Sequence, residues 1–188
     1  MPSPRTPEDI LATELKEIYS AERQVMRALP KLSRRVQNAR LKEALDTRRQ
    51  QGETLLEELD QTFEQMEVSK GRAKNTAAEG LIEDINQHLE EIQDERMLEP
   101  VLIAGLQKLE HYCIAAWGTA RSMGRLLGED RVIQSMERVL DEGRDLDEQL
   151  TRLAEDEVNP AMMQGEAQGG GGSRGGRSSG QGEGARRQ

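Results

Sequence analysis

Apolar residues in the first part of the chain recur at the spacing of a buried helix face. From Leu11 to Val36 the positions alternate four and three residues apart, which is the seam of a packed helix. Thr6 and Pro7 stand directly before the seam as an N-cap and a first helical residue, so we predict a helix that begins at Pro7. The seam contains one charged residue among its members, which are Leu11, Leu15, Ile18, Glu22, Val25, Leu29, Leu32 and Val36.

A second helix and a short third helix follow from the same spacing and from capping signals. Asn38 is the expected cap of the second helix, whose apolar positions are Leu41, Leu45, Leu56, Leu59, Phe63 and Met66. Between Leu45 and Leu55 this helix loses its apolar character, and the gap contains Arg48, Arg49 and Glu53. The capping box Thr76-Ala77-Ala78-Glu79 opens the short helix, which runs to about Ile92.

Two long helices complete the pattern. Pro100 lies near the start of the fourth helix, which ends at Leu127-Gly128 with a glycine stop. The fifth helix is expected to end at Asn159-Pro160. The apolar positions of the fourth helix are interrupted by a glutamate, as in Ile103, Leu106, Glu110, Cys113, Trp117 and Ala120. Those of the fifth include a glycine, as in Val132, Met136, Val139, Gly143, Leu146, Leu150 and Leu153.

The order of these elements predicts an all-α fold, a ferritin-like four-helix bundle. The long helices form two hairpins, and the short extra helix lies in the crossover connection between them, which is how ferritin-like bundles are connected. We assign residues 1–164 to this domain. Residues 165–188 are rich in glycine and arginine, cannot bury a core and are predicted to form a disordered C-terminal tail.

Composition narrows the function classes. Aromatic residues make up only 2% of the chain, so the core must be aliphatic, and the net charge of -9 argues against a general nucleic-acid surface. The single arginine-glycine-glycine triplet of the tail is a weak exception, and a flexible solubilising tail explains it better. The single cysteine, Cys113, excludes an internal disulfide. We find no signal peptide and no apolar run long enough for a membrane, and we therefore expect a cytoplasmic protein.

Carboxylates at mid-helix supply the candidate chemistry. Glu22 and Glu110 each interrupt an apolar seam, one in each hairpin, and a lone buried carboxylate is costly unless it is paired or bound to a metal. Facing carboxylates in a bundle are what a di-metal site requires, and Glu53 and Asp147 are available on the other two helices. The predicted metal ligands are therefore Glu22, Glu53, Glu110 and Asp147.

Two observations keep a metal-free alternative open. The usual Glu-x-x-His motif is missing, because Ile85 stands three residues before His88 and Lys108 stands three residues before His111. Arg48 and Arg49 both lie in the polar gap of the second helix, and either could pair with the central glutamates and form an ion-pair core instead.

Three segments resemble a known family. They are Tyr19–Gln24, Glu79–Glu83 and Lys108–Tyr112, the last followed by Trp117-Gly118-Thr119. In this order they resemble the YciE/YciF family of bacterial ferritin-like, stress-associated proteins, from about Glu8 to Met162. The resemblance implies a ferritin-like bundle, a homodimer and a di-metal site, and it implies no defined reaction, catalytic residue or small-molecule substrate.

The family pattern is only partly kept at the centre of the bundle. Glu22 and Glu110 match the family's central glutamates. In the second helix, Gln50 stands where the family has Glu, and Glu53 stands where the family has His. The resemblance therefore implies that ligands have been lost on this helix.

The later helices show the same trend. Gly143 stands where the family has a Glu in the fifth helix, whereas Asp147 is retained. Cys113 replaces a family acid near the centre.

Two functions follow as expectations. The first is a stress-associated ferritin-like protein with a di-iron or di-manganese centre. The second is a metal-free helical dimer with a structural or protein-interaction role.

Overall fold

A computed structural model describes residues 5–72 and 74–164 of the chain. The predicted tail, residues 165–188, lies outside the described residues. The described part is all-helical, with six α-helices, and no strand occurs in it. The helices are α1 (Pro7–Ser33), α2 (Ala39–Gln65), α3 (Thr76–Glu91), α4 (Leu98–Leu127), α5 (Asp130–Leu153) and α6 (Asn159–Gln164).

Short polar segments define where the long helices begin and end. Thr6 caps α1 in a capping box with Asp9, and the Asn38 side chain accepts hydrogen bonds at the start of α2, so both predicted caps are confirmed. Gly128 ends α4 with φ at 73°, a left-handed conformation that favours glycine. These local signals set the start of α1 and of α2 and the end of α4.

The long helices form a four-helix bundle of two hairpins, as predicted. Within the bundle α1 packs on α2 and α4, and α5 packs on α4 and α2. The start of α4 lies beside the α1–α2 turn, because Glu99 accepts hydrogen bonds from the backbone amides of Gln37 and Asn38. Helices α2 and α4 therefore start at the same end of the bundle, and the crossover that contains α3 returns the chain to that end.

Two apolar clusters fill the bundle, one toward each end. The cluster near the α1–α2 turn includes Val25, Leu45, Leu109 and Leu146. The cluster at the opposite end comprises Leu11, Leu15, Ile18, Leu55, Leu59, Phe63, Cys113, Trp117, Ala120, Val132, Met136, Val139 and Leu140. On each long helix one or two buried residues separate the clusters, and the layer described below lies at this height.

The structure corrects three details of the sequence prediction. Helix α3 is capped by Asn75 and not by Thr76, because the Asn75 side chain accepts from the amide of Ala78. In α2 the core residue is Leu55, which is fully buried, whereas Leu56 is only partly buried.

The third correction concerns the C-terminal end. The chain does not stop its helix at Asn159-Pro160, because a π-helical turn over Ala154–Val158 leads directly into α6. Pro160 is the second residue of α6, which follows this turn directly, so it does not end the helix. Among the described helices, none is both long and apolar enough to cross a membrane.

Candidate functional site at the centre of the bundle

Five residues form a layer at mid-height between the two apolar clusters. Glu22 comes from α1, Arg48 and Gly52 from α2, Glu110 from α4 and Gly143 from α5. All five side-chain positions are buried. We call this set the central layer. Glu22, Arg48 and Glu110 are the charged residues among those that are buried in the described part of the chain.

Arg48 joins the two central glutamates. Its guanidinium contacts Glu22 with two nitrogens, at 2.5 Å from Nη1 to Oε1 and 3.1 Å from Nη2 to Oε2. Its Nε donates to Oε2 of Glu110 at 2.9 Å. The guanidinium also lies 5.4 Å from the centre of the Trp117 ring, within cation–π distance. The three charged residues therefore form one ion triad across α1, α2 and α4.

Burial and the neighbouring opposite charge shift the pKa values of Arg48 and Glu110 in opposite directions. Burial by itself would lower the pKa of Arg48, but the charges of Glu22 and Glu110 outweigh it and hold that pKa well above its ordinary value. Burial raises the pKa of Glu110, although Arg48 acts to lower it. Arg48 is thus a permanent cation in an environment that contains two carboxyl groups.

Cys113 lies against the triad but has no sign of reactivity. Burial, followed by the nearby charges of Glu110 and Glu22, raises the pKa of its thiol well above the usual range. A reactive cysteine requires the opposite, a lowered thiol pKa with some exposure. Cys113 is therefore a small buried side chain of the core.

The central layer has no room for a small-molecule ligand. Oε1 of Glu110 is buried and has no hydrogen-bond partner among the described residues. Arg48 and Glu110 line two small cavities. One holds about 10 Å³, the lower limit for one water molecule, and the other has no room for water. A cleft of about 660 Å³ lies elsewhere, at the end of the bundle near Val36, Leu98 and Val158. No opening of that size reaches the triad in the described part of the chain.

The four predicted metal ligands do not meet. Glu22 and Glu110 are both in the central layer, as predicted, but Arg48 lies between their carboxylates. Glu53 is on the surface of α2, where it pairs with Arg49 at 2.6 Å and its side chain is 54% exposed. Over residues 5–72 and 74–164, no group of three or more His, Cys, Asp or Glu residues is arranged to hold a metal ion.

Asp147 has partners of its own on a half-exposed face. Its Oδ1 lies 3.2 Å from Nε2 of His111 and accepts a hydrogen bond from Gln107 at 3.0 Å. These contacts tie α4 to α5 outside the central layer. The residues present therefore do not fit the di-metal site that the family resemblance implies.

One of the two arginines in the polar gap takes the predicted role. Arg48 pairs with both central glutamates, as the ion-pair alternative predicts, whereas Arg49 points to solvent and pairs with Glu53. Adjacent helical residues point about a quarter turn apart, so only one of the two can face the core.

The signal for this choice is present in the sequence. The four-and-three spacing of α2 continues through the gap as Leu41, Leu45, Arg48, Gly52, Leu55 and Leu59. Arg48 and Gly52 therefore occupy core positions of the seam.

A second polar site was not predicted. The Asn75 side chain caps α3 and also donates to the carbonyl of Glu17 and the hydroxyl of Tyr112. Its backbone amide donates to the Ser20 hydroxyl. Asn75 is buried and ties the crossover to α1 and α4, and no pattern along the chain signals these distant partners.

Comparisons with known proteins agree with this architecture. Residues 6–163 match the family model described as "Domain of unknown function (DUF892)". Protein YciF of Escherichia coli (strain K12) is 35% identical over 156 residues, which cover 82% of this chain and 94% of that protein.

Two solved structures extend the comparison. The crystal structure of the E. coli stress protein YciF superposes with a TM-score of 0.78 at 35% identity, and the match covers 83% of this chain and 99% of that one. YcfI from Rhodopseudomonas palustris, described as a candidate structural protein, superposes with a TM-score of 0.75 at 30% identity and covers 80% and 96% of the two chains.

Proposed function

We propose that this chain, which belongs to the DUF892 family, is a helical protein with a structural or interaction role whose bundle requires no metal. The observation that carries the proposal is the position of Arg48. Its guanidinium supplies the positive charge between Glu22 and Glu110 that a metal ion would otherwise supply.

The residues around the triad also support a bundle that requires no metal. The helices that complete the central layer contribute Gly52 and Gly143, which have no side chain to donate to a metal. Glu53 and Asp147 are occupied by contacts nearer the surface.

The relatives suggest the setting in which such a protein acts. The E. coli protein is described as a stress protein and the R. palustris protein as a candidate structural protein. We propose that this chain likewise serves a structural role under stress, as a cytoplasmic homodimer. Light scattering coupled to size exclusion tests the dimer, and a monomeric mass at working concentration would contradict it.

Metal analysis of the wild-type protein tests the main proposal. The protein is purified without an affinity metal, incubated with ferrous iron or manganese, freed of excess ion and analysed by mass spectrometry. We expect no stoichiometric metal and the same melting temperature with and without a chelator. Stoichiometric iron or manganese, with a melting temperature that falls in chelator, would contradict the proposal.

A di-metal centre is the second candidate, and one observation favours it. Oε1 of Glu110 is a buried carboxylate oxygen that has no hydrogen-bond partner within residues 5–72 and 74–164, as an unused ligand atom would be. Such a centre requires Arg48 to leave the space between Glu22 and Glu110. It also requires the side chains of Glu53 and Asp147 to turn inward from their present partners. The metal analysis above separates the two candidates.

A further inference from the structure

We infer that the central layer is a binding site for a planar guanidinium cation, which the chain supplies from its own Arg48, and that it selects this cation over a metal ion. The inference rests on the proposed function and deepens it. The two carboxylates of the central layer recognise a planar guanidinium group.

The contacts of Arg48 are those of a bound guanidinium. Glu22 receives two of its nitrogens in the paired geometry that a carboxylate and a guanidinium share, and Glu110 receives the third. The indole of Trp117 lies at cation–π distance. A lysine or a spherical metal ion cannot make the same set of contacts, because neither has a flat face or a forked array of donors.

Two glycines make this arrangement possible. A Cβ atom placed on Gly143 would lie 2.9 Å from Oε1 of Glu110 and 2.8 Å from Cζ3 of Trp117. A Cβ atom placed on Gly52 would collide with Oε1 of Glu22. Each central carboxylate therefore occupies space that a side chain on the facing helix would fill. Neither glycine carries an atom that could bind a metal, and the space beside each of them holds a carboxylate that contacts Arg48.

Rescue of a truncated variant tests the site directly. Arg48→Ala removes the guanidinium and leaves the two carboxylates around an internal space. Guanidinium or methylguanidinium chloride, at concentrations well below those that denature proteins, should raise its melting temperature by about 2–4 °C, the shift that accompanies a change of about tenfold or less in the folding equilibrium. Ammonium chloride at the same concentration should not raise it.

Arg49→Ala is the matched control. It removes the same side chain one residue later, from an exposed pair in which the arginine side chain is 40% exposed. Guanidinium should not raise the melting temperature of this variant or of the wild type. The inference would be overturned if manganese or ferrous iron, but not guanidinium, raised the melting temperature of Arg48→Ala. It would also be overturned if none of these cations raised that melting temperature.

If Arg48→Ala does not fold, nuclear magnetic resonance of the wild-type protein tests the inference instead. In protein labelled with ¹⁵N-arginine, the side-chain N–H signals of Arg48 should be separately resolved and protected from exchange with solvent, unlike those of Arg49. Averaged, rapidly exchanging signals for both would overturn the inference. Failure of the proposed function is distinct, because it appears as metal retained by the wild-type protein.

Discussion

Replacing Gly143 by alanine probes the central layer with a single methyl group. In an open helix this substitution stabilises by about 0.8–1.0 kcal/mol, because alanine is the better helix former. At Gly143 the new Cβ atom would lie 2.8 Å from the Trp117 ring and 3.2 Å from a methylene of Ile114, closer than packed carbons approach. Trp117 is only 2% exposed, so its ring has little freedom to move away.

The expected change in the free energy of unfolding is the balance of these two opposing effects. Overpacking a rigid core costs about 1–3 kcal/mol, which cancels or exceeds the gain in helix propensity. Oε1 of Glu110, at 2.9 Å, must also shift, and this disturbs its neighbour Arg48. We therefore expect Gly143→Ala to be no more stable than the wild type, and up to about 2 kcal/mol less stable.

Gly80→Ala is the control, because it makes the same change in an open place. Gly80 lies on α3, and a Cβ atom there would have no atom within 4 Å. This variant should be more stable than the wild type by the helix-propensity gain alone. The two variants should therefore differ by about 1–3 kcal/mol in the free energy of unfolding.

Urea denaturation measures this difference, and the protein contains a convenient probe. Trp117 is the only tryptophan, so its fluorescence reports on the central layer. The emission of the folded state should change in Gly143→Ala and stay constant in Gly80→Ala. Equal stabilisation of both variants, with unchanged emission, would show that the layer is loosely packed and would refute this reasoning.

Three further predictions test other parts of the structure. Asn75→Ala removes three side-chain hydrogen bonds and leaves buried partners unsatisfied, so it should lower the free energy of unfolding by about 1–3 kcal/mol, as measured by urea denaturation. A change below about 0.5 kcal/mol, the usual effect of a surface substitution, would contradict this. Hydrogen bonds from Asn38 and then Arg40 lower the pKa of Glu157, so its stabilising effect is present above the unfolded pKa and disappears as the pH falls through the folded one. In Glu157→Gln the melting temperature should therefore fall less steeply as the pH is lowered than it does in the wild type. The same pH dependence in both proteins would contradict this prediction. Burial raises the pKa of Cys113, so iodoacetamide should label its thiol in urea and not in the folded protein, as intact-mass measurement can show; rapid labelling without urea would disprove it.

Much of the fold could be predicted because helices are encoded locally. The seam of α1 and the caps at Thr6 and Asn38 depend on residues within one or two turns of one another. The errors also have local causes. The sequence favours Thr76 as the cap of α3 because Thr76 and Glu79 form a capping box in isolation, whereas Asn75 is the cap in the structure. The tertiary contacts of Asn75 with Glu17 and Tyr112 decide between them.

The candidate site was predictable only in part. Glu22 and Glu110 interrupt apolar seams, and this pattern by itself places both in the interior. Their partner was one of two adjacent arginines, and the regular spacing of α2 favours Arg48. The positions of Glu53 and Asp147 could not be predicted, because a residue near the edge of a seam can turn toward the core or toward solvent.

The sequence by itself determined which residues form helices, which faces those helices bury and that two carboxylates enter the core. These properties follow from a helical period that each segment carries alone. Only the tertiary structure decided that Arg48 lies between Glu22 and Glu110 and that Gly52 and Gly143 close the same layer. The physical reason is that contacts between helices depend on their relative rotation and register. Rotation and register are set by the packing of the whole core and not by any one segment.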